Sequence, residues 1–263
     1  MRAKKALGQN FLIDDAVISR IIEEGVPKEN IPLVEIGPGP GALTRKLVLK
    51  ENELWAIELD QEKVELLNRE FHADTLHILH MDALKLNVRD LWGDNKGWLV
   101  GNLPYYITNP LLMHFLDQGD RLKGMTVMVQ KEVADRIGAG PGSRAYGILS
   151  IAVQLAADVT PLFDVPPTAF WPQPKVTSTV LKLEMRPYPG FNTDKDVFFR
   201  IVRAAFAQRR KTIINTLSGG LGITKEQTKE ILERAGIDPG LRAEDIGILD
   251  YQKITLIWLS KAK

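Results

Sequence analysis

Cysteine is absent from all 263 residues. That excludes disulfides, a thiolate nucleophile and the three-cysteine cluster of radical chemistry. Long apolar runs are missing too, and nothing approaches the roughly 20 residues that a membrane-crossing helix needs. The N-terminus is basic but lacks an apolar stretch followed by a cleavage site, so the chain is expected to remain cytoplasmic and away from membranes. Histidine is scarce, with four residues at His72, His77, His80 and His114. None has metal-ligand spacing with acids, and His77 and His80 fall in a strand-like run where they face opposite sides, so no metal is expected. Net charge is also small, at +1, which gives little general attraction to a polyanion.

What is present begins with an alternation of strand-like and helix-like segments from Leu33 to about Leu183. Helical patterns cover Ala16 to Glu24, Gln61 to Phe71, Asn109 to Asp117, Lys131 to Ile137 and Ile148 to Ala157. Strands are expected at Met125 to Gln130 and from Thr179 to Met185. Such alternation predicts an α/β fold with a mainly parallel sheet and helices on both faces. The sequence RPYPG (Arg186 to Gly190) breaks regular structure and marks a boundary. Two domains are therefore expected, residues 1–186 and 187–263, the second one helical. Its helices are read at Val197 to Ala207, Lys211 to Leu217 and Thr224 to Ala235, where Thr224 and Gln227 form a capping box and Gly236 a stop.

The segment LVEIGPGPG (Leu33 to Gly41) runs a short apolar strand into a turn with glycines at Gly37, Gly39 and Gly41. Glycine lets a backbone approach a ligand and adopt angles that a side chain forbids. A dinucleotide site has G-x-G-x-x-G, with a pyrophosphate on the helix N-terminus. Here the spacing is G-x-G-x-G with interleaved prolines, which favours a nucleoside carrying a small zwitterion, such as S-adenosylmethionine. The next strand, Leu54 to Asp60, places Glu58 at its end, where an acid can accept both ribose hydroxyls. A third, Leu76 to Asp82, ends in Asp82, an acceptor for an adenine amine. One Asp at a strand end is more commonly a helix cap. Several ligand-type residues on successive strand ends are a different matter, because in an open parallel sheet those ends share one crevice.

A fourth strand end carries Asn102, Leu103, Pro104 and Tyr105 after the apolar run Trp98 to Gly101. An exocyclic amine on adenine is a poor nucleophile, since its lone pair is delocalised into the ring. The Asn102 side-chain carbonyl and a main-chain carbonyl near Leu103 can accept both amine hydrogens and localise that lone pair. Pro104 stiffens the turn and removes a competing N–H, and Tyr105 offers a ring face to a base. The plainer alternative is a strand-ending turn with a core tyrosine. Between Asp164 and Pro174 a rigid, proline-rich segment carries Phe170 and Trp171; Phe170 suits a wall of an aromatic pocket, while Trp171 is expected to pack.

These motifs resemble those of the ribosomal RNA adenine dimethyltransferases, in particular the bacterial small-subunit type. The resemblance rests on KKALGQNFLID (Lys4 to Asp14), the glycine loop, NLPYYITNPLL (Asn102 to Leu112), MVQKEVADRI (Met128 to Ile137), GSRAYGILS (Gly142 to Ser150), FWPQPKVTSTVLKL (Phe170 to Leu183) and AFAQRRKT (Ala205 to Thr212). It implies a class I, Rossmann-like S-adenosylmethionine-dependent methyltransferase with a seven-stranded sheet whose last strand runs antiparallel. By the same resemblance Asn10, Leu12, Gly37, Gly39, Glu58, Asp82 and Asn102 would line the donor site, and Tyr105 and Phe170 would sandwich the target base. The implied reaction adds two methyls to each of two adjacent adenines near the 3' end of 16S rRNA, within the small subunit or its precursor. S-adenosylhomocysteine would be the product and a monomer the working form. Trp171, following Phe170, and the stiffening Pro38 and Pro40 depart from the usual pattern.

An RNA partner needs positive charge, and its distribution supplies it. Residues 1–185 hold 20 Lys and Arg against 24 Asp and Glu, whereas residues 186–263 hold 14 against 9. No acid lies between Phe198 and Gly222, a stretch that contains Arg200, Arg203, Arg209, Arg210 and Lys211. On one continuous helix Arg200, Arg203 and Arg210 would form a stripe facing phosphates. Alternatively, these cations serve helix C-termini or pair with acids. Three other functions fit parts of the pattern: a large-subunit, macrolide-resistance methyltransferase, a DNA adenine methyltransferase, and a non-catalytic ribosome-assembly binder.

Overall fold

A computed structural model describes residues 9–187 and 194–261. Residues 4–8 of the first resemblance string and part of the RPYPG boundary therefore lie outside the described residues. The chain divides into two compact units, one of residues up to Ala134 together with Ala156–Arg186, the other of Asp135–Leu155 together with Pro187 onward. A single cut after residue 186 does not capture this division, because the segment 135–155 packs with the C-terminal helices. Gly142 N–H donates to Glu244 O at 2.8 Å, and the Tyr146 and Phe206 rings meet edge to face.

Among the described residues the first unit contains nine strands: β1 (Phe11–Leu12), β2 (Leu33–Ile36), β3 (Leu54–Glu58), β4 (Leu76–His80), β5 (Gly97–Asn102), β6 (Leu122–Gln130), β7 (Ala157–Val165), β8 (Phe170–Trp171) and β9 (Ser178–Met185). Seven of them form one sheet in the order β4-β3-β2-β5-β6-β9-β7. The pairings from β4 through β6 are parallel, and β9 runs antiparallel to both β6 and β7. The expected mainly parallel, seven-stranded sheet with an antiparallel last strand is therefore present. β7 was not foreseen from the sequence, since Pro161 interrupts it and its apolar residues do not alternate regularly with polar ones.

The chain moves from β2 outward to β4, then returns across β2 to β5 and β6. Right-handed crossovers place the helices of these two excursions on opposite faces of the sheet. All four residues of β2 are buried, as a central strand covered on both faces requires. Local chemistry sets the helix starts. Asp14 accepts the N–H groups of Ala16 and Val17 at the start of Asp15–Arg20, and Asp60 accepts that of Glu62 at the start of Gln61–Glu70. The order reverses between β2 and β5, so a crevice opens at their C-terminal ends.

The second unit is helical, with Lys195–Ala205, Ile213–Leu221, Lys225–Ala235 and Ile248–Lys261. Phe198, Ile201, Leu217, Leu232, Tyr251 and Ile254 are buried in it. The predicted capping box of Thr224 and Gln227 is formed, and Gly236 ends that helix at φ +74°. Other bounds differ: the second of these helices runs Ile213–Leu221 rather than Lys211 to Leu217, Ile248–Lys261 was not foreseen, and the first runs Lys195–Ala205, stopping short of Ala207. Phe206 takes the cap conformation, its ring lies beside those of Tyr146 and Tyr251, and a turn closes from Gln208 O to Lys211 N–H. Arg210 thus lies beyond the helix that carries Arg200 and Arg203, and the three do not form a single helical stripe.

Candidate active site

A cleft with about 790 Å³ of free space, including its opening to solvent, lies at the ends of β2, β3, β4 and β5. It is lined by Asn10, Gly37, Gly39, Glu58, Asp82, Asn102, Leu103, Pro104 and Tyr105. Nine of the eleven predicted donor-site and base-site residues are brought together there.

The glycine turn leaves β2 with Gly37, Gly39 and Gly41 at φ of +66°, +57° and +86°, a region that side chains disfavour. At Gly39 a Cβ would also come within 3.1 Å of the Phe11 ring. Two buried residues bracket this turn. Glu35 in β2 accepts a 2.6 Å hydrogen bond from the Thr44 hydroxyl, and Thr44 opens the helix that follows. Burial, with the nearby Glu58 charge adding to it, pushes the Glu35 carboxyl from 4.5 up to about 8, against the Thr44 hydrogen bond that lowers it.

Glu58 ends β3 with only 6 % of its surface exposed. Its two oxygens accept the N–H groups of Gly39 at 3.0 Å and Asp60 at 2.9 Å. Burial raises its pKa, and these backbone donors work in the opposite direction. Each carboxylate oxygen has a second lone pair, so the group is fixed in place yet retains acceptor capacity. Asp82 caps a short turn by accepting Leu84 N–H at 3.0 Å through Oδ1. The helix-cap reading and the ligand reading of Asp82 are compatible, since it both caps and lines the cleft.

At the end of β5 the Asn102 Nδ2 donates to Asn10 O at 3.0 Å. A main-chain carbonyl can only accept, so this contact fixes which way the amide points and leaves Oδ1 as the outward acceptor. Leu103 N–H is taken by Met128 O at 3.1 Å, which sets the orientation of that peptide. Pro104 O accepts the Thr108 hydroxyl at 3.0 Å and Ile107 N–H at 3.1 Å. Tyr105 is half-buried, and its hydroxyl shares a 2.7 Å hydrogen bond with Ser178 Oγ at the start of β9. Burial raises the pKa of that phenol, and the Ser178 contact lowers it. Such an arrangement fixes one amide acceptor and one ring edge beside a buried acid, and it can orient a planar amine.

Leu12 and Phe170 do not line the cleft. They pair across the two-stranded ribbon of β1 and β8, and both are buried in the core cluster beside Ile18, Val100 and Met128. The reason is strand alternation: the opposite face of the ribbon carries Phe11 and Trp171. Phe11, which the sequence reading missed, faces the glycine turn and lines the cleft; the period-two pattern of a strand was the signal that could have found it. Gln9, Ile57, Met81 and Tyr106 also line the cleft. Trp171 was expected to pack, and it is 46 % exposed.

In the second unit Arg200, Arg203, Arg209, Arg210 and Lys211 are all exposed. Arg200 sits over the Trp258 ring at 5.1 Å and Arg203 over Phe199 at 5.9 Å, while Arg209 donates to Arg144 O. Among the described residues there is no group of three or more His, Asp or Glu placed to hold a metal, and no helix is long and apolar enough to cross a membrane.

The family model described as ribosomal RNA adenine dimethylase matches residues 1–258. The chain belongs to that family. It is 58 % identical over 254 residues to a protein of Desulfitobacterium hafniense named ribosomal RNA small subunit methyltransferase A, covering 97 % of this chain and 91 % of that one. A protein of the same name from Clostridium acetobutylicum is 39 % identical over 257 residues, with 97 % and 93 % covered. Among solved structures, a dimethyladenosine transferase from Plasmodium falciparum superposes with a TM-score of 0.80 at 25 % identity, covering 96 % of this chain and 98 % of that one. The 23S rRNA methyltransferase ErmE gives 0.70 at 22 % identity, with 94 % and 99 % covered, which is a likeness of fold. The family member described here is thus an rRNA adenine methyltransferase with the α/β fold its sequence predicted.

Proposed function

We propose that this enzyme dimethylates the exocyclic amines of two adjacent adenines near the 3' end of small-subunit 16S rRNA, using S-adenosylmethionine, during small-subunit biogenesis. The observation that carries the reading is the shared cleft of Glu58 and Asn102, each held by backbone contacts on a neighbouring side of the strand-order reversal. High identity to proteins named for the small-subunit reaction supports that substrate over the large-subunit one.

The cleft fits a nucleoside donor. Apolar surface from Phe11, Ile36, Ile57 and Met81 flanks the carboxylates of Glu58 and Asp82 and the close-approaching glycine turn. Glu58 would accept the ribose hydroxyls, Asp82 the adenine amine, and Gly37, Gly39, Asn10 and Asn102 would border the remainder. When bound, S-adenosylmethionine supplies an electrophilic methyl group on a sulfonium.

The protein's part is to prepare the acceptor. Asn102 Oδ1 and the Leu103 main-chain carbonyl take the two amine hydrogens of an adenine turned out of its stack, and this directs the nitrogen lone pair outward. Tyr105, pinned through Ser178, gives the base a fixed surface at little entropic cost. No strong base is required, because the nitrogen becomes acidic on alkylation and loses its proton to water. Catalysis then rests on positioning and on preorganised dipoles. Arg200, Arg203, Arg209, Arg210 and Lys211 supply phosphate contacts in the second unit, residues 187–263 together with the segment 135–155. The protein acts as a monomer on the small subunit or its precursor.

Incubation with labelled methyl donor and unmethylated small ribosomal subunits, followed by mapping of the product, tests the proposal. Label at the N6 positions of two neighbouring adenines is expected. Label in the large subunit, or none, overturns it.

A further inference from the structure

Trp171 stands out among the exposed apolar side chains of the first unit. It directly follows a residue that is 1 % exposed, and yet it is 46 % exposed itself. The geometry of the ribbon explains the contrast. β1 and β8 pair antiparallel with Phe11 opposite Trp171 and Leu12 opposite Phe170. Directly opposed residues project from the same face of an antiparallel pair. Leu12 and Phe170 take the core face. Trp171 therefore shares the other face with Phe11, which lines the cleft.

The cross-strand distance is about 5 Å, so the indole sits next to the cleft rather than within it. The pairing continues one step further, since Ile13 N–H donates to Ala169 O at 2.9 Å, and Ile13 is also exposed, at 58 %. The indole has no hydrogen bond or ring contact among the described residues, although a tryptophan of this size is ordinarily covered. Lys175, four residues on, is exposed as well. An exposed indole one strand away from the cleft, with an exposed cation four residues further along the chain, has the make-up of a single-stranded nucleic-acid platform, where aromatic faces stack bases and cations track the backbone.

We propose that Trp171 stacks on the unpaired purine that flanks the target adenine, holding it at the rim while the target occupies the cleft. This inference rests on the reading given under Proposed function, because a flanking purine follows from two adjacent adenines. It assigns Trp171 a role in substrate binding and register, distinct from Tyr105, which meets the target base itself. Phe170 is left as the core residue that anchors the ribbon from behind.

The test compares wild type, Trp171→Phe and Trp171→Ala on unmethylated small subunits. Trp171→Ala is expected to raise KM for the subunit by about tenfold, the size of one lost stacking contact, with kcat and donor affinity unchanged. Trp171→Phe is expected to recover most of the loss. A second arm uses an RNA hairpin with two adjacent unpaired adenines in its loop, one of them made abasic. The missing base should weaken wild-type binding and have little further effect on Trp171→Ala, because both changes remove the same contact. Equal losses in the two proteins, or an unchanged KM in Trp171→Ala, would overturn the role of Trp171 while leaving the methyltransferase reading intact. Wild type that methylates no adenine in either substrate would instead overturn that underlying reading and this inference with it.

Discussion

In the strand-end cleft the polar side chains are tied to main chain: Glu58 to Gly39 and Asp60, Asn102 to Asn10. In the second unit the five basic residues stand exposed, with ring or single-carbonyl contacts at three of them. The two regions serve different physical demands. Orienting a lone pair tolerates only small displacements, so its groups must be preorganised. Attracting phosphate depends on the number of charges and on salt, and side chains free to adjust serve it well.

Substitutions in the two regions should therefore have effects of different kind as well as size. Asn102→Ala is expected to have the largest, lowering the methyl-transfer rate by about 10²–10³, the scale of one lost preorganised dipole, with donor affinity nearly unchanged by equilibrium dialysis. A comparable loss of donor binding would mean that the cleft collapses rather than loses an orienting group.

Glu35→Gln probes how firmly the glycine turn is held. Glu35 retains its proton in the folded protein well above 4.5, losing it at about 8. The folded state binds more protons than the unfolded state over that interval. Stability from this group is thus present in full below about 4.5 and declines as pH rises through about 8. Glutamine can still accept from Thr44 and has no such dependence. Urea unfolding at pH 5.5 and 8.5 should show the variant gaining on wild type at the higher pH, by on the order of a few kcal/mol. A pH-independent difference would contradict a protonated Glu35.

Neutralising Arg209, Arg210 and Lys211 together should lower RNA affinity and reduce the slope of log affinity against log salt by about 2, with the methyl-transfer rate at saturating RNA unchanged. An unaltered slope would remove this region from the RNA contact. The smallest effect is expected from Tyr105→Phe, which keeps the ring and loses the bond to Ser178, at a cost of about 1 kcal/mol in binding of the target base.

The difference between the regions also governed what the sequence disclosed. Gly37, Glu58, Asp82 and Asn102 were legible because each stands at or just past the end of a strand-like run, and strand order carries such ends to one crevice. Leu12 and Phe170 were read toward the cleft because a resemblance of motifs does not say which face of a short strand a side chain takes. Phe11 and Trp171 occupy the face assigned to their neighbours. β7 escaped notice for lack of a clean apolar pattern. The basic residues were legible as a charge excess, but their alignment was not, since the helix end at Ala205 depends on Phe206 meeting Tyr146, which lies sixty residues earlier in the chain.

A crystal structure of the protein with S-adenosylhomocysteine and an RNA fragment bearing an unpaired adenosine would show whether donor and acceptor share the strand-end cleft. The ribose of the cofactor product is expected on Glu58, with the adenosine amine within hydrogen-bond distance of Asn102 Oδ1 and Leu103 O in the same cleft. A structure in which either molecule binds elsewhere, or in which Asn102 Oδ1 faces away from the amine, would contradict it.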